Sequence, residues 1–385
     1  MLARILIIMG ILLLLNGYIA LHIIHLLPAA GHSLCLVWAI MVVFVALQIV
    51  PFIERLFFRE PKGKIGNPVL LWALNWLPYL SFGIFSCLFL YSLAMDVIGL
   101  GWKLFFAPSD TARFDSEMLI ALAIVTLGTI AIGIKQAVSG PRVVKVNIPL
   151  DNLPKNFNGF KIVQISDLHI GSTIGNRYIS NIIDIANGLK PDLIALTGDI
   201  IEGHVQDIKD DVGLLSNLQA QYGRYVITGN HEYYWDAFGW IKQFKKYGLH
   251  VLLNEHVAIK IGDEEIILGG VTDYSTISMP SEHAFNPAKA LANTPPDAVK
   301  ILLAHQPVSY TMAQEARADL MLSGHTHGGQ YFPFSLLIRF FQKYYKGLNK
   351  YKNMWIYVNR GTGYWGPPLR TFVPSEITLI TLIKN

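Results

Sequence analysis

Long apolar runs separated by short polar turns fill the first third of the chain, and short apolar runs that end on Asp, Asn or His fill the rest. Ile5–Leu21 holds a single Asn and no charge, Leu34–Ile53 is uncharged, and Met118–Ile134 repeats the pattern. At ~1.5 Å of helical rise per residue, each is long enough, or nearly so, to cross ~30 Å of hydrocarbon. Asn67–Met95 is also uncharged but too long for one straight span. It reads as an interfacial piece ending near Pro78, followed by a helix from about Tyr79 to Leu100. Residues 1–140 are therefore expected to form an all-α transmembrane region of about four helices. The first run exceeds the ~7–15 residues of a signal-peptide core, and Pro28-Ala29-Ala30-Gly31 is a poor cleavage site, so it reads as a retained helix.

From residue 141 the pattern shortens. Val143–Ile148 and Lys161–Ile165 read as strands around the polar turn Asn156–Gly159, and Leu193–Leu196 and Tyr225–Ile227 as buried strands. Helices are expected at Ile179–Leu189, closed by Lys190-Pro191, and around Val212–Gln219. This alternation is α/β layering. His250–Leu253, Val257–Ile261 and Glu265–Leu268 read as a meander turning at Ile261–Glu264. Lys300–Ala304, Asp319–Leu322, Met354–Val358 and Ile377–Ile383 supply further strands. So many strands with few long helices fit two facing sheets flanked by helices better than one parallel sheet.

Charge changes this picture in two ways. Residues 1–140 carry 8 of the 31 Lys/Arg and 6 of the 27 Asp/Glu, so the sparse half is the membrane half and 141–385 resembles a soluble domain. The net charge of +4 gives no support for nucleic acid as a partner. Lys/Arg in short loops set orientation. Arg55, Arg59, Lys62 and Lys64 lie between the second and third helices, whereas the first loop, with His22, His25 and His32, has none. Lys103 and Arg113 in the third loop are opposed by Asp110, Asp115 and Glu117, and Lys135, Arg142 and Lys145 follow the fourth helix. Both termini and the 141–385 domain are thus expected in the cytoplasm.

The chemistry lies in five blocks, each just after a strand: Asp167-Leu168-His169, Gly198-Asp199, Gly229-Asn230-His231-Glu232, His305, and Gly324-His325-Thr326-His327. Cys35 and Cys87 are the only cysteines and sit in apolar runs, so any metal must use oxygen and imidazole ligands. Hydrolysis of a phosphoester needs a strong nucleophile and compensation of phosphoryl charge, which two divalent metals ~3.5–4 Å apart supply. A bridging Asp199 closes the arithmetic: Asp167, His169 and His327 complete one shell, Asn230, His305 and His325 the other. Such ligands suit Mn²⁺, Fe or Zn²⁺ better than Ca²⁺ or Mg²⁺, and the residues do not rank those three. His231 is needed by neither shell and is the expected proton donor to the leaving oxygen. Glu232 is placed to orient it, and Glu202 to support the ligands from behind. The glycines at 198, 229 and 324 fit sharp strand exits.

Taken in order, these blocks resemble the calcineurin-like metallophosphoesterase family from residue 143 to 385, and His305-Gln306-Pro307 with Gly328-Gly329-Gln330 resembles its bacterial membrane-associated branch. The resemblance implies a four-layer α/β sandwich, a dinuclear centre with the same ligand roles, attack by a metal-bridging hydroxide, and phosphodiesterase activity. Tyr331–Tyr351 mixes Phe332, Phe334, Phe340 and Phe341 with Arg339, Lys343, Lys346 and Lys350. It fits either a membrane-interface segment or a loop and helix packed on the domain. In the first case the substrate is expected to be a lipid-linked phosphodiester or pyrophosphate. The alternatives are a nucleotide or cyclic-nucleotide phosphodiesterase merely anchored by its helices, and a membrane sensor or transporter with a regulatory metal domain. Arg360 and Arg370 are candidate phosphate clamps, with surface solvation the competing role for at least one.

Overall fold

The computed structural model describes residues 2–27, 34–57, 68–106, 111–279 and 282–385. They divide into two compact units: Met1–Lys135 with Gly366–Thr371, and Gln136–Trp365 with Phe372–Asn385.

The first unit is built on α1 (Leu2–Leu26), α2 (Leu34–Phe57), α3 (Pro68–Phe106) and α4 (Thr111–Val138). Among the described residues, three helices are long and apolar enough to cross a membrane, over Met9–Leu26, Ala73–Phe106 and Arg113–Val138; Leu34–Val50 is a shorter apolar helix. Their outward side chains are apolar, as at Leu14, Ile124 and Leu127, which is a poor surface for water and a good one for lipid. The break expected at Pro78 is absent, and α3 runs through it as one 39-residue helix. Proline removes one backbone donor and crowds the preceding turn. In an apolar setting every remaining backbone group still gains from staying helical, and Ser81 Oγ donates to the Pro78 carbonyl at 2.6 Å. A buried Asn16 Nδ2 to Gln48 Oε1 bond of 2.9 Å ties α1 to α2. The returning segment Gly366–Thr371 is held by Arg370 N–H on Gly133 O at 3.0 Å and Thr371 Oγ on Thr129 O at 2.8 Å. Pro28–Gly31, Arg59, Lys62, Lys64 and His32 lie outside the described residues.

The second unit contains fourteen strands among the described residues. The first seven are β1 (Arg142–Leu150), β2 (Lys161–Ile165), β3 (Ile170–Gly171), β4 (Leu193–Thr197), β5 (Ile201–Glu202), β6 (Arg224–Ile227) and β7 (His250–Val251). The others are β8 (Glu255–Ile261), β9 (Glu264–Gly270), β10 (Lys300–Leu303), β11 (Leu320–Ser323), β12 (Gly347–Tyr351), β13 (Met354–Val358) and β14 (Glu376–Lys384). One six-stranded sheet has the order β1-β14-β2-β4-β6-β7, the other β12-β13-β11-β10-β9-β8, and β3 pairs β5. Both large sheets are mixed: β2, β4 and β6 are parallel, as are β9, β10, β11 and β13, while β14 runs antiparallel to β2 and β8 to β9. The expected meander is therefore split. His250–Val251 pairs with β6 in the first sheet, and only β8 and β9 form a hairpin, in the second.

Burial places the core between the sheets. Ile162, Ala195, Ile227 and Ile380 from the first meet Ile266, Leu268, Ile301, Leu303 and Leu322 from the second. Behind the first sheet lie α5 (Asn176–Gly188), α6 (Val205–Gly213), α7 (Asn230–Trp235) and α8 (Ala237–Lys246), whose Ile182, Val212, Trp240 and Phe244 cover Val163, Ile194 and Val226. Behind the second lie α9 (Pro287–Ala290) and α10 (Tyr310–Glu315), with Ala290 and Ala313 against Leu302 and Met321. The four layers are thus helix, sheet, sheet, helix. The helix expected at Val212–Gln219 starts earlier, at Val205, and passes into a 3₁₀ turn, Leu214–Asn217.

Candidate metal centre

Parallel strands leave their carboxyl ends on one edge, where the chain must turn and polar groups find no neighbouring strand. All five blocks lie at such ends: Asp167 and His169 after β2, Asp199 after β4, Asn230 and His231 at the start of α7 after β6, His305 after β10, and His325 and His327 after β11. Left-handed backbone is uncommon outside glycine and concentrates where a fold over-determines a site. Asp167, His169, Asp199, His325 and His327 all have positive φ, between 48° and 70°. The turns aim the side chains inward, and the neighbouring glycines make room. A Cβ on Gly229 would lie 2.2 Å from Asp199 Oδ1, and one on Gly324 would lie 1.9 Å from Ser166 Oγ and 2.2 Å from Asp167 Oδ2.

The result is a buried cluster with two halves. Donor atoms of Asp167, His169 and His327 lie within 4.8 Å of one another, and so do those of Asp199, His305 and His325. His231 forms a third such group with His169 and Asp199, its Nε2 being 3.9 Å from Asp199 Oδ2. Backbone donors fix the carboxylates: His325 N–H reaches Asp167 Oδ1 at 2.9 Å, and His231 N–H reaches Asp199 Oδ1 at 2.9 Å.

Do these groups fit metal ions? His305 uses Nδ1 on the Thr197 carbonyl at 2.8 Å, so its Nε2 lone pair faces Asp199 Oδ2 at 3.1 Å. His169 uses Nδ1 on Glu202 Oε2 at 3.1 Å, and its Nε2 meets His327 Nε2 at 3.1 Å. Acceptors that face each other in a dry interior repel unless a proton or cation lies between them. Asn230 Oδ1 is buried with no hydrogen-bond partner among the described residues, an expensive condition that a cation would relieve. The donor set fits two divalent ions.

A proton is the other way to relieve these contacts, and against burial Asp199 raises the His305 ring well above its ordinary value. Burial alone would raise the Asp199 carboxyl, but the rings of His305 and His231 outweigh it and hold the group well below the usual carboxylate range. Burial likewise opposes ionisation of Glu202, yet bonds from His169 and His231 bring it down to about 2. His325, desolvated and beside His305, falls to about 4, leaving a neutral imidazole suited to ligation. For His231, burial pulls the pKa down while Asp199 and Glu202 outweigh it and raise it above the ordinary value.

Glu202 stands behind His169 as expected and also takes the place beside His231 that was expected of Glu232. Glu202 Oε2 lies 2.5 Å from His231 Nδ1 and also bonds His169, so one carboxylate positions both rings. Glu232 instead accepts from the backbone N–H groups of Gly229 at 2.6 Å, Asp199 at 3.0 Å and Ile200 at 2.8 Å, bracing the turn that carries Asp199. An acid inside a helix N-terminal turn finds backbone donors before it finds a side chain. Arg360 is engaged by Glu376, with Nε at 2.6 Å and Nη2 at 2.5 Å from Oε2. Arg370 is fully buried in the Gly366–Thr371 segment of the helical unit.

Two exposed aromatics at the rim escaped the sequence reading. The rings of Tyr234 and Trp365 lie 5.0 Å and 5.7 Å from that of His231. Trp365 is pinned by reciprocal bonds with Gln330, 2.8 Å to its carbonyl and 2.9 Å from its N–H. Tyr234 was accessible to spacing, being three residues after His231 on one helix face. Trp365 sits in a loop with no period to reveal it.

Residues 160–329 match the calcineurin-like phosphoesterase family. A Bos taurus protein named "transmembrane protein with metallophosphoesterase domain" is 31% identical over 372 residues, 92% of this chain and 82% of its own. Its Danio rerio namesake is 32% identical over 80% of this chain and 74% of its own. A Helicobacter pylori protein named "uncharacterized metallophosphoesterase" is 33% identical over 82% of each.

Proposed function

This chain belongs to the calcineurin-like metallophosphoesterase family and is a metal-dependent phosphoester hydrolase, and we propose that it cleaves a phosphodiester or pyrophosphate bond of a lipid-linked substrate at the membrane surface. Asp167, His169, Asp199 and His327 would hold one metal, and Asp199, Asn230, His305 and His325 the other. When bound, the pair supplies an acidified water and charge compensation on phosphoryl oxygens, and manganese is our choice among Mn, Fe and Zn. The protein's own part is to hold groups in place. Glu202 fixes Nδ1 of His231, so Nε2 is the atom that delivers a proton to the leaving oxygen.

The observation that carries the lipid reading is α11 (Phe334–Phe341), which begins five residues after Gly329. Ser335 and Ile338 of this helix lie against Gly329, so the helix borders the last ligand block. It has no buried residue, with Phe340 73% and Phe341 81% exposed and Arg339 between Ile338 and Phe340. A short helix of apolar and basic groups left bare beside an active site suits the edge of an anionic bilayer. Tyr234 and Trp365 give support to a second reading, a nucleotide diester whose base stacks beside His231.

The Lys/Arg loop pattern supports a catalytic domain in the cytoplasm, and the resemblance of His305-Gln306-Pro307 and Gly328-Gly329-Gln330 to the bacterial membrane-associated branch supports a bacterial inner membrane. A reporter fused after Asn385 should be active only inside, and activity only outside would overturn that orientation. Purified protein with Mn²⁺ should turn over a lipid pyrophosphate or lipid phosphodiester faster than a nucleotide diester or a phosphomonoester. Preference for the nucleotide diester would replace the lipid reading with the second. Bound metal without turnover of any would favour a regulatory metal domain.

A further inference from the structure

One end of the helical unit carries polar groups that an anchor does not need. Tyr18 and His22 lie one turn apart on α1 and both reach Asp96 of α3: Tyr18 through its hydroxyl, His22 through Nδ1 at 2.8 Å from Oδ1. An ionisable group in a span costs ~2.5–3.5 kcal/mol by insertion scales, so such residues mark a function unless they serve only each other. Here they do more. The His22 side chain is 4% exposed, and its Nε2 is buried with no hydrogen-bond partner among the described residues.

His22 faces a cavity of about 200 Å³ that is also lined by His25, Asp96, Lys103 and Asp115, with Leu26, Leu100 and Met118 as apolar wall. Lys103 Nζ is 3.1 Å from Asp115 Oδ1. The depth follows from the helices themselves: His25 is one residue from the end of α1, Lys103 three from the end of α3, and Asp115 four from the start of α4. That is where apolar spans give way to head groups.

We propose that this cavity binds the phosphoethanolamine head group of a membrane lipid. Among the described lining residues two carboxylates, Asp96 and Asp115, stand against one ammonium, Lys103, which disfavours a purely anionic head group. With Nδ1–H committed to Asp96, His22 offers Nε2 as an acceptor, and a primary ammonium is a cation that also donates. Among the described lining residues Lys103 is the lysine placed to meet the phosphate, and the apolar wall takes the start of the acyl chains. A quaternary choline meets the charge but cannot donate to Nε2. The proposal does not depend on the substrate of the hydrolase.

Full-length protein would be released from vesicles of equal parts phosphatidylethanolamine, phosphatidylglycerol and phosphatidylcholine, and retained lipid counted by native mass spectrometry. Roughly tenfold enrichment of phosphatidylethanolamine over each competitor is expected, a difference of ~1.4 kcal/mol. His22→Leu and the near-isosteric Asp96→Asn should each abolish the enrichment while hydrolysis of a soluble chromogenic diester, the check on folding, is unchanged. Equal retention of the three lipids by the natural protein, or enrichment that survives in folded Asp96→Asn, overturns the proposal.

Discussion

His231 and Glu202 are 2.5 Å apart, and this contact separates two jobs that a single substitution can tell apart. If His231 moves a proton and ligates nothing, His231→Gln should lower turnover by about 10²–10⁴-fold with the metals retained. Glu202 also bonds His169, so Glu202→Gln should cost both turnover and metal affinity, the latter by about 10–100-fold. Full activity in His231→Gln would remove the proton-donor assignment, and metal loss there would make His231 a ligand. The residues that cluster at the site were legible in the sequence because they recur at strand ends in fixed local spacings, whereas the orienting carboxylate was not. Glu202 and Glu232 are both near His231 along the chain or in space, and which one bonds its ring depends on whether nearer backbone N–H groups claim the carboxylate first, as they do for Glu232.

At the scale of elements, the apolar runs that became β2, β4, β6, β10 and β11 could be read directly, since a fully buried parallel strand is a short uninterrupted apolar stretch. Partner choice could not. His250–Val251 and Glu255–Ile261 look alike in pattern and are close in sequence, yet they belong to different sheets, because pairing is settled by long-range packing. Pro78 misled for a related reason: it breaks helices in water, but α3 is apolar along its length and has no better state to adopt. The helix α11 was the undecided element, and its bare Phe340 and Phe341 favour the membrane-interface role over packing on the domain. Replacing both by Ser should lower activity on a vesicle-borne lipid substrate at least ~10-fold while sparing a soluble chromogenic diester. The lost burial of two aromatic side chains, ~1.5–3 kcal/mol each, is ample for that effect. Equal loss on both substrates would show that α11 serves the domain's own stability.

On the scale of the whole molecule, a phosphoesterase unit and a unit of apolar helices share one chain that passes between them more than once. The chain leaves α4 for the catalytic sheets, and returns at Gly366–Thr371 to bond Gly133 and Thr129 before β14 closes the first sheet. That return was invisible in composition, because six residues without a long apolar run give no membrane signal. It also removes Arg370 from the surface role considered for it. Asp199 shared by two ions is the centre of the proposed site, since every other role is defined relative to that pair. Elemental analysis of the purified protein and of Asp199→Asn, with hydrolysis of a chromogenic diester followed in the same samples, tests it most directly. The account predicts two divalent ions per active natural chain, with metal content lowered and hydrolysis abolished in the variant; an active natural chain with a single ion, or an Asp199→Asn chain that keeps two ions and turnover, would contradict it.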